Sequence, residues 1–224
     1  MTRTLLANPA RFRTQQELFF FVPGDPGPSV EERRLAVDPT NPACPLSRFG
    51  GDKALLRPFV ETAFEALALF NHEIGGCFAL SGQPTVCEEV ARLFAGTLGL
   101  PFVPIRSLLV ETANDVLVKI AEVVEQVEID TVQGPDTLEL RPVIEDGRPH
   151  SKTFFMVPPS VIYVDELADL PDLALRRVLR ATEPHGELDT GPWIAGCWHA
   201  CWMVRSKDRG LLERLGKRFN LVEL

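Results

Sequence analysis

Val161-Ile162-Tyr163-Val164-Asp165-Glu166 is an apolar run that stops abruptly at two carboxylates. Four consecutive apolar residues, three of them β-branched, read as a strand buried on both faces of a parallel sheet. The C-terminal edge of such a sheet is where open α/β proteins bind ligands. Asp165 and Glu166 are therefore the first candidate functional residues. The plainer alternative is a core strand whose first exposed residues are acidic.

The chain has 224 residues, 45% hydrophobic and 24% charged, enough for one α/β domain with a full core. Its net charge of -8 argues against general avidity for nucleic acid or acidic membranes. No apolar run approaches the roughly 18 residues that a membrane span needs. Met1-Thr2-Arg3-Thr4-Leu5-Leu6 lacks the apolar stretch of a signal peptide, so a cytoplasmic location is expected. Cys44, Cys77, Cys87, Cys197 and Cys201 are scattered and odd in number, as suits reduced thiols. Cys197, His199 and Cys201 alternate along an expected strand, but about 13 Å of extended chain is too wide for one zinc ion.

Residues 1–48 read as an irregular, proline-rich wrap over the surface, with prolines at 23, 26, 28, 39, 42 and 45 and an apolar anchor at 18–22. Residues 49–224 read as an α/β core. An amphipathic helix is expected from Asp52 through Phe70, with Pro58 in its first turn, ending at Gly75-Gly76. Cys77-Phe78-Ala79-Leu80 is a short buried strand, followed by a helix through Val90, Leu93, Phe94 and Leu98 that stops at Gly99. Phe102-Val103-Pro104-Ile105 is a second strand, and a third helix carries Val116, Leu117, Ile120, Val123 and Val127 inward from a cap at Thr112 or Asn114. Residues 137–157 alternate in polarity around Asp146-Gly147, the signal of an inserted β-hairpin. After the Asp165-Glu166 strand, Pro171 opens a helix through Leu175, Val178 and Leu179. A last strand lies within 198–204, and a short helix from Asp208 leads to Phe219. Strand and helix alternate, which predicts a parallel sheet covered by helices on both faces.

The turn after the first strand carries the decisive chemistry. A phosphate-binding P-loop reads G-x-x-x-x-G-K-S/T; the same place here holds Gly82-Gln83-Pro84-Thr85-Val86-Cys87-Glu88-Glu89. The first glycine is kept, but Cys87 replaces the second, Glu88 the lysine, and Glu89 the magnesium-binding hydroxyl. Cysteine resists the backbone curl around a phosphate. Glutamate turns attraction into repulsion, about 4 kcal/mol per unit pair at 4 Å with an effective dielectric near 20. If Glu88 and Glu89 fall in the first helical turn, the helix N-terminus is satisfied by the protein's own carboxylates.

Several blocks together resemble the AAA+ ATPases, within them the RuvB-like group named for the bacterial Holliday-junction branch-migration motor. They are Phe49-Gly50-Gly51, the strand–Gly82–helix turn, residues 161–166, and Val204-Arg205-Ser206-Lys207-Asp208-Arg209-Gly210-Leu211-Leu212 running to Lys217-Arg218-Phe219. They occur in family order over roughly residues 46–224. The resemblance implies a P-loop NTPase fold in which Asp165 holds magnesium and, with Glu166, forms the Walker B pair. It places Ser206 as the polar sensor at the end of a strand, and Arg218 as an arginine reaching a neighbour's nucleotide. For Arg218 the alternative is a solvated cation favoured by the helix dipole. Arg205 and Lys207 depart from the residues usual there, and with Arg209, Arg214 and Lys217 they read as a solvated basic face. The family's helical lid has no counterpart before Leu224, so an absent lid is expected.

Three functions follow as expectations. The first is an AAA+ fold that does not hydrolyse ATP, an interaction or regulatory subunit beside an AAA+ partner or its own copies, with no ATP or magnesium bound. The second, implied by the resemblance alone, is an ATP-driven DNA motor using both. The third is a nucleic-acid-binding module without ATPase activity, which the acidic balance disfavours.

Overall fold

The computed structural model describes residues 28–67, 77–125, 139–145, 148–157, 159–183, 186–191, 193–197, 199–215 and 218–224. The 18–22 run, Phe70, Gly75-Gly76, Val127, the Asp146-Gly147 turn and Lys217 lie outside them. In chain order the elements are α1 (Val30–Val37), α2 (Arg57–Ala66), β1 (Phe78–Ser81), α3 (Pro84–Leu98), β2 (Phe102–Ile105), α4 (Ala113–Glu125), β3 (Glu139–Glu145), β4 (Arg148–Met156), β5 (Ser160–Val164), α5 (Asp172–Ala181), β6 (Glu187–Asp189), β7 (Trp193–Gly196), β8 (Ala200–Arg205), α6 (Arg209–Leu215) and β9 (Asn220–Glu223).

Every residue of β5 is buried, and the strand sits inside a five-stranded sheet of order β2-β5-β8-β1-β9 in which all pairs are parallel. Strands enclosed on both faces have no solvent side, which is why β5 and β8 read as continuous apolar runs. One face carries Ala79, Ile105, Ile162, Val164, Trp202 and Val204 against α4, α5 and α6. The other carries Phe78, Leu80, Val161, Tyr163 and Met203 against α2, α3 and the 40s segment. There Phe59, Phe78 and Phe94 meet with ring centroids 4.6–5.9 Å apart, a separation at which tilted and edge-on aromatic rings attract. The α/β architecture of a parallel sheet covered on both faces is thus present.

Gly99 ends α3 as expected. Its φ of 67° is left-handed, and Leu100 N–H reaches back to the Ala95 carbonyl, closing the helix in the manner of a glycine C-cap. At the start of α4, Thr112 rather than Asn114 marks the boundary, because Asn114 already lies inside the helix. The Asp115 carboxylate accepts the Thr112 and Glu111 amides and the Thr112 hydroxyl.

Three features differ from expectation. Residues 30–37 form a helix between Pro28 and Pro39, capped by a reciprocal Ser29–Glu32 box, so the N-terminal stretch is not wholly irregular. Residues 220–223 form an edge strand beside β1. The β3–β4 hairpin does not stand alone: β4 pairs in parallel with β7, and β7 pairs with β6, giving a second sheet of order β3-β4-β7-β6. No helix among the described residues is long and apolar enough to cross a membrane.

Candidate nucleotide site

Parallel pairing brings the ends of β1, β5 and β8 together, and with them Gly82, Asp165, Glu166 and Ser206. The turn after β1 is tighter than a phosphate-binding loop. Pro84 is already in the first turn of α3, and the Cys87 amide donates to the Gln83 carbonyl at 3.0 Å as an ordinary helical bond. A phosphate cradle needs successive free amides in a curled loop; here that stretch is helix. Proline favours the first helical position because it has no amide to leave unpaired. Gln83, Pro84 and Thr85 are exposed, and Cys87 is buried in the core, where burial pushes its thiol up to about 11.

Glu88 and Glu89 therefore stand in the second turn of α3, not the first, and neither occupies the helix N-terminus. The first turn contains no acidic residue at all. Glu88 is instead claimed by arginines: Arg92 Nη2 lies 2.9 Å from Oε1 and Arg106 Nη1 2.8 Å from Oε2. The Arg106 hydrogen bond holds the Glu88 carboxyl below its ordinary value. Glu89 is exposed.

The same Arg106 reaches toward Asp165, with 3.6 Å between Nη1 and Oδ2. The other oxygen, Oδ1, accepts the Ser107 amide at 2.8 Å. One guanidinium thus lies between Glu88 and Asp165, the carboxylates found where a P-loop lysine and a magnesium ligand are expected.

Glu166 is buried and fully engaged. Arg205 Nη1 donates to Oε2 at 2.9 Å, the Ser206 hydroxyl to Oε1 at 2.7 Å, and the Lys207 amide to both oxygens at 3.0 Å. Arg205 also donates to the Gly82 carbonyl at 3.0 Å and the Asp165 carbonyl at 3.1 Å. Its side chain is 13% exposed, so it is the buried hub of the site and not part of a solvated basic face. Lys207 and Arg209 are likewise paired, with Asp169, Glu213 and Glu223.

Gly82 has a φ of 152°, and a Cβ there would collide with the Leu224 carbonyl; the Leu224 amide donates to Ser81 at 2.7 Å. The backbone after β9 thus lies directly over the one glycine the P-loop pattern keeps. Arg218 is not part of this cluster. It precedes β9 at the N-terminal edge of the sheet, near Cys77, and its Nη1 pairs with Glu183 at 2.8 Å.

The donor set does not fit a nucleotide-bound magnesium ion. Asp165 already faces a guanidinium, the expected hydroxyl is Glu89, and Glu166 has no oxygen left for a water. The two arginines that create this arrangement had no local signal. Arg106 follows a short strand and Arg205 ends one, and only the fold shows which carboxylates they reach.

No protein-family model matches the chain, and no curated protein matches it in sequence. Among solved structures, a lysine-to-arginine variant of RuvB from Thermotoga maritima superimposes with a TM-score of 0.52 at 16% identity, covering 80% of this chain and 47% of that one. A proline-to-glycine variant of the same RuvB gives a TM-score of 0.43 at 17% identity, covering 77% and 44%. The chain spans about half the length of the RuvB structures it matches. It has an α/β fold of the P-loop NTPase type, similar to that of RuvB.

Proposed function

We propose that the protein is a non-hydrolysing member of the AAA+ architecture, acting as an interaction or regulatory subunit beside an AAA+ partner. The observation that carries this is the pair of internal arginines. Arg106 neutralises Glu88 and Asp165, and Arg205 with Ser206 and Lys207 saturates Glu166. The positive charge that magnesium would bring to Asp165 and Glu166 is supplied from within. The helical start of α3 and the cover over Gly82 leave no curled loop for a phosphate.

The intact Asp165-Glu166 pair is the feature that favours an ATP-driven DNA motor. Both carboxylates have structural partners instead, which accounts for them without catalysis. Arg218, at the opposite sheet edge, is the residue that would reach a neighbouring subunit.

Ligand linkage tests this. A site with a dissociation constant of 10 μM would add about 2.7 kcal/mol of stability at about 1 mM ATP–magnesium. The expected result is no change in the urea midpoint; a rise of that size would refute the proposal.

A further inference from the structure

The helix that follows the Asp165-Glu166 turn has a face that makes no side-chain hydrogen bond or ion pair among the described residues. In α5, Ala174, Val178 and Ala181 are buried and Leu175 and Leu179 pack beside them. The opposite face brings Leu173, Arg176, Arg177 and Arg180 together at spacings of three, four and seven residues, one stripe of a helix. Leu173 is 63% exposed. None of the three arginine side chains makes an ion pair or hydrogen bond among the described residues. Of the acidic groups nearby, Glu122 pairs with Lys119 on α4, which packs against α5, Asp169 pairs with Lys207 and Glu183 with Arg218, while Asp172 opens α5 as an exposed carboxylate four residues before Arg176.

A second apolar feature lies against the turn that leads into α5. The 3-10 turn Ser107–Leu109 packs against the turn Leu167–Asp169 that leads into α5, and it is tied down by the Ser107 amide on Asp165. Leu108 is 85% exposed and Leu109 71%, the two most exposed large apolar side chains among the described residues. Exposed leucines cost solvation unless something covers them.

We infer that α5 and the Leu108-Leu109 turn form a docking surface for an acidic amphipathic helix of a partner protein. This rests on the reading of the chain as an interaction subunit and names the chemistry of its partner. Three unpaired arginines call for carboxylates, which they bind with two parallel bonds. The leucines at the head of the stripe call for apolar side chains, which a phosphate backbone does not offer. A net charge of -8 also opposes nucleic acid at long range. Since Ser107 is bonded to Asp165, an occupied surface would stiffen the edge that carries the nucleotide-site residues.

The test uses fluorescence anisotropy with a fluorescein-labelled helical peptide of about 20 residues. The peptide carries leucines at one end and glutamates at helical i, i+3, i+4 and i+7 positions along the rest. Saturable binding with a dissociation constant below about 100 μM at low salt is expected, weakening steeply with salt. Changing Arg176→Gln, Arg177→Gln and Arg180→Gln together should weaken it by about tenfold or more, and Leu173→Ser by about threefold. Leu173, Arg176 and Arg180 are exposed and Arg177 is half-buried, so thermal melting of each variant is compared with the parent, and weaker binding by a variant that melts like the parent is the expected result. Replacing the peptide's glutamates with glutamines makes the same test from the other side and needs no protein variant. No saturation by about 1 mM, or binding indifferent to the arginines and the glutamates, would overturn the inference. So would a duplex DNA oligonucleotide that binds more tightly than the peptide with the same arginine dependence. ATP–magnesium titration reports separately on the nucleotide site, so either result can fail alone.

Discussion

Arg106 lies 2.8 Å from Glu88, which stands where a P-loop places its phosphate-binding lysine. The positive charge at this edge stands at the end of β2 and faces two carboxylates, Glu88 and Asp165. Arg205 does the same for Glu166. The carboxylates at this sheet edge are in this way paired with side chains of their own chain.

The Glu88–Arg106 contact makes stability depend on acid. Because the bond to Arg106 lowers the Glu88 value in the folded state, its contribution is fully present above the ordinary carboxyl value of 4.5 and lost as pH falls through the lower folded value. Glu88→Gln should lower stability by about 0.5–1.5 kcal/mol near neutral pH. The difference from the parent should shrink as pH falls below 4.5. Urea midpoints measured across that range check both the size and the direction.

Glu166 should behave as a structural residue. Glu166→Gln leaves the Arg205 charge buried without its carboxylate, though still bonded to two carbonyls. Loss of a partner from a buried pair is costly, and about 2–3 kcal/mol is expected in denaturant unfolding. A change within about 0.5 kcal/mol would mean that Glu166 is held for something other than the fold.

Gly82 should resist any side chain. Gly82→Ala places a Cβ against the Leu224 carbonyl at a positive φ, which predicts a loss of about 2 kcal/mol or more. Thermal or urea unfolding reads it directly. Because Leu224 directly follows β9, amide exchange in β9 should rise along with the loss.

Much of this fold was legible because its strands are enclosed on both sides. The residues 161–164, 78–80 and 102–105 stand out as short apolar runs, and the carboxylates after the first of them mark the C-terminal edge of the sheet. Helix α1 was obscured by proline, yet the prolines at 28 and 39 flank it and the Ser29–Glu32 spacing announces its cap. The misplaced start of α3 has a similar cause. Pro84 is a helix-opening residue, but the P-loop register drew the boundary toward Glu88. Arg106 and Arg205 were beyond local reading, since their carboxylates lie far away in sequence. A charge near the end of a strand looks solvated until the neighbouring strands are placed beside it.

The outer part of the hairpin should be dispensable. Strand β4 meets β7 only over Thr153 to Met156, so the remainder of β3 and β4 pairs with itself. Replacing residues 141–152, which pair with one another beyond the part of β4 that meets β7, with a short glycine linker should change stability by less than about 1 kcal/mol, since loop insertions are tolerated where few contacts cross. A loss of several kcal/mol would show that the hairpin belongs to the core.

Calorimetric titration with ATP–magnesium tests the central claim most directly. With Arg106 and Arg205 already paired and α3 starting at Pro84, no saturable heat is expected up to about 1 mM nucleotide. Saturable binding at about 10 μM, abolished by Asp165→Ala, would contradict it and show that Asp165 can release Arg106 to hold the metal.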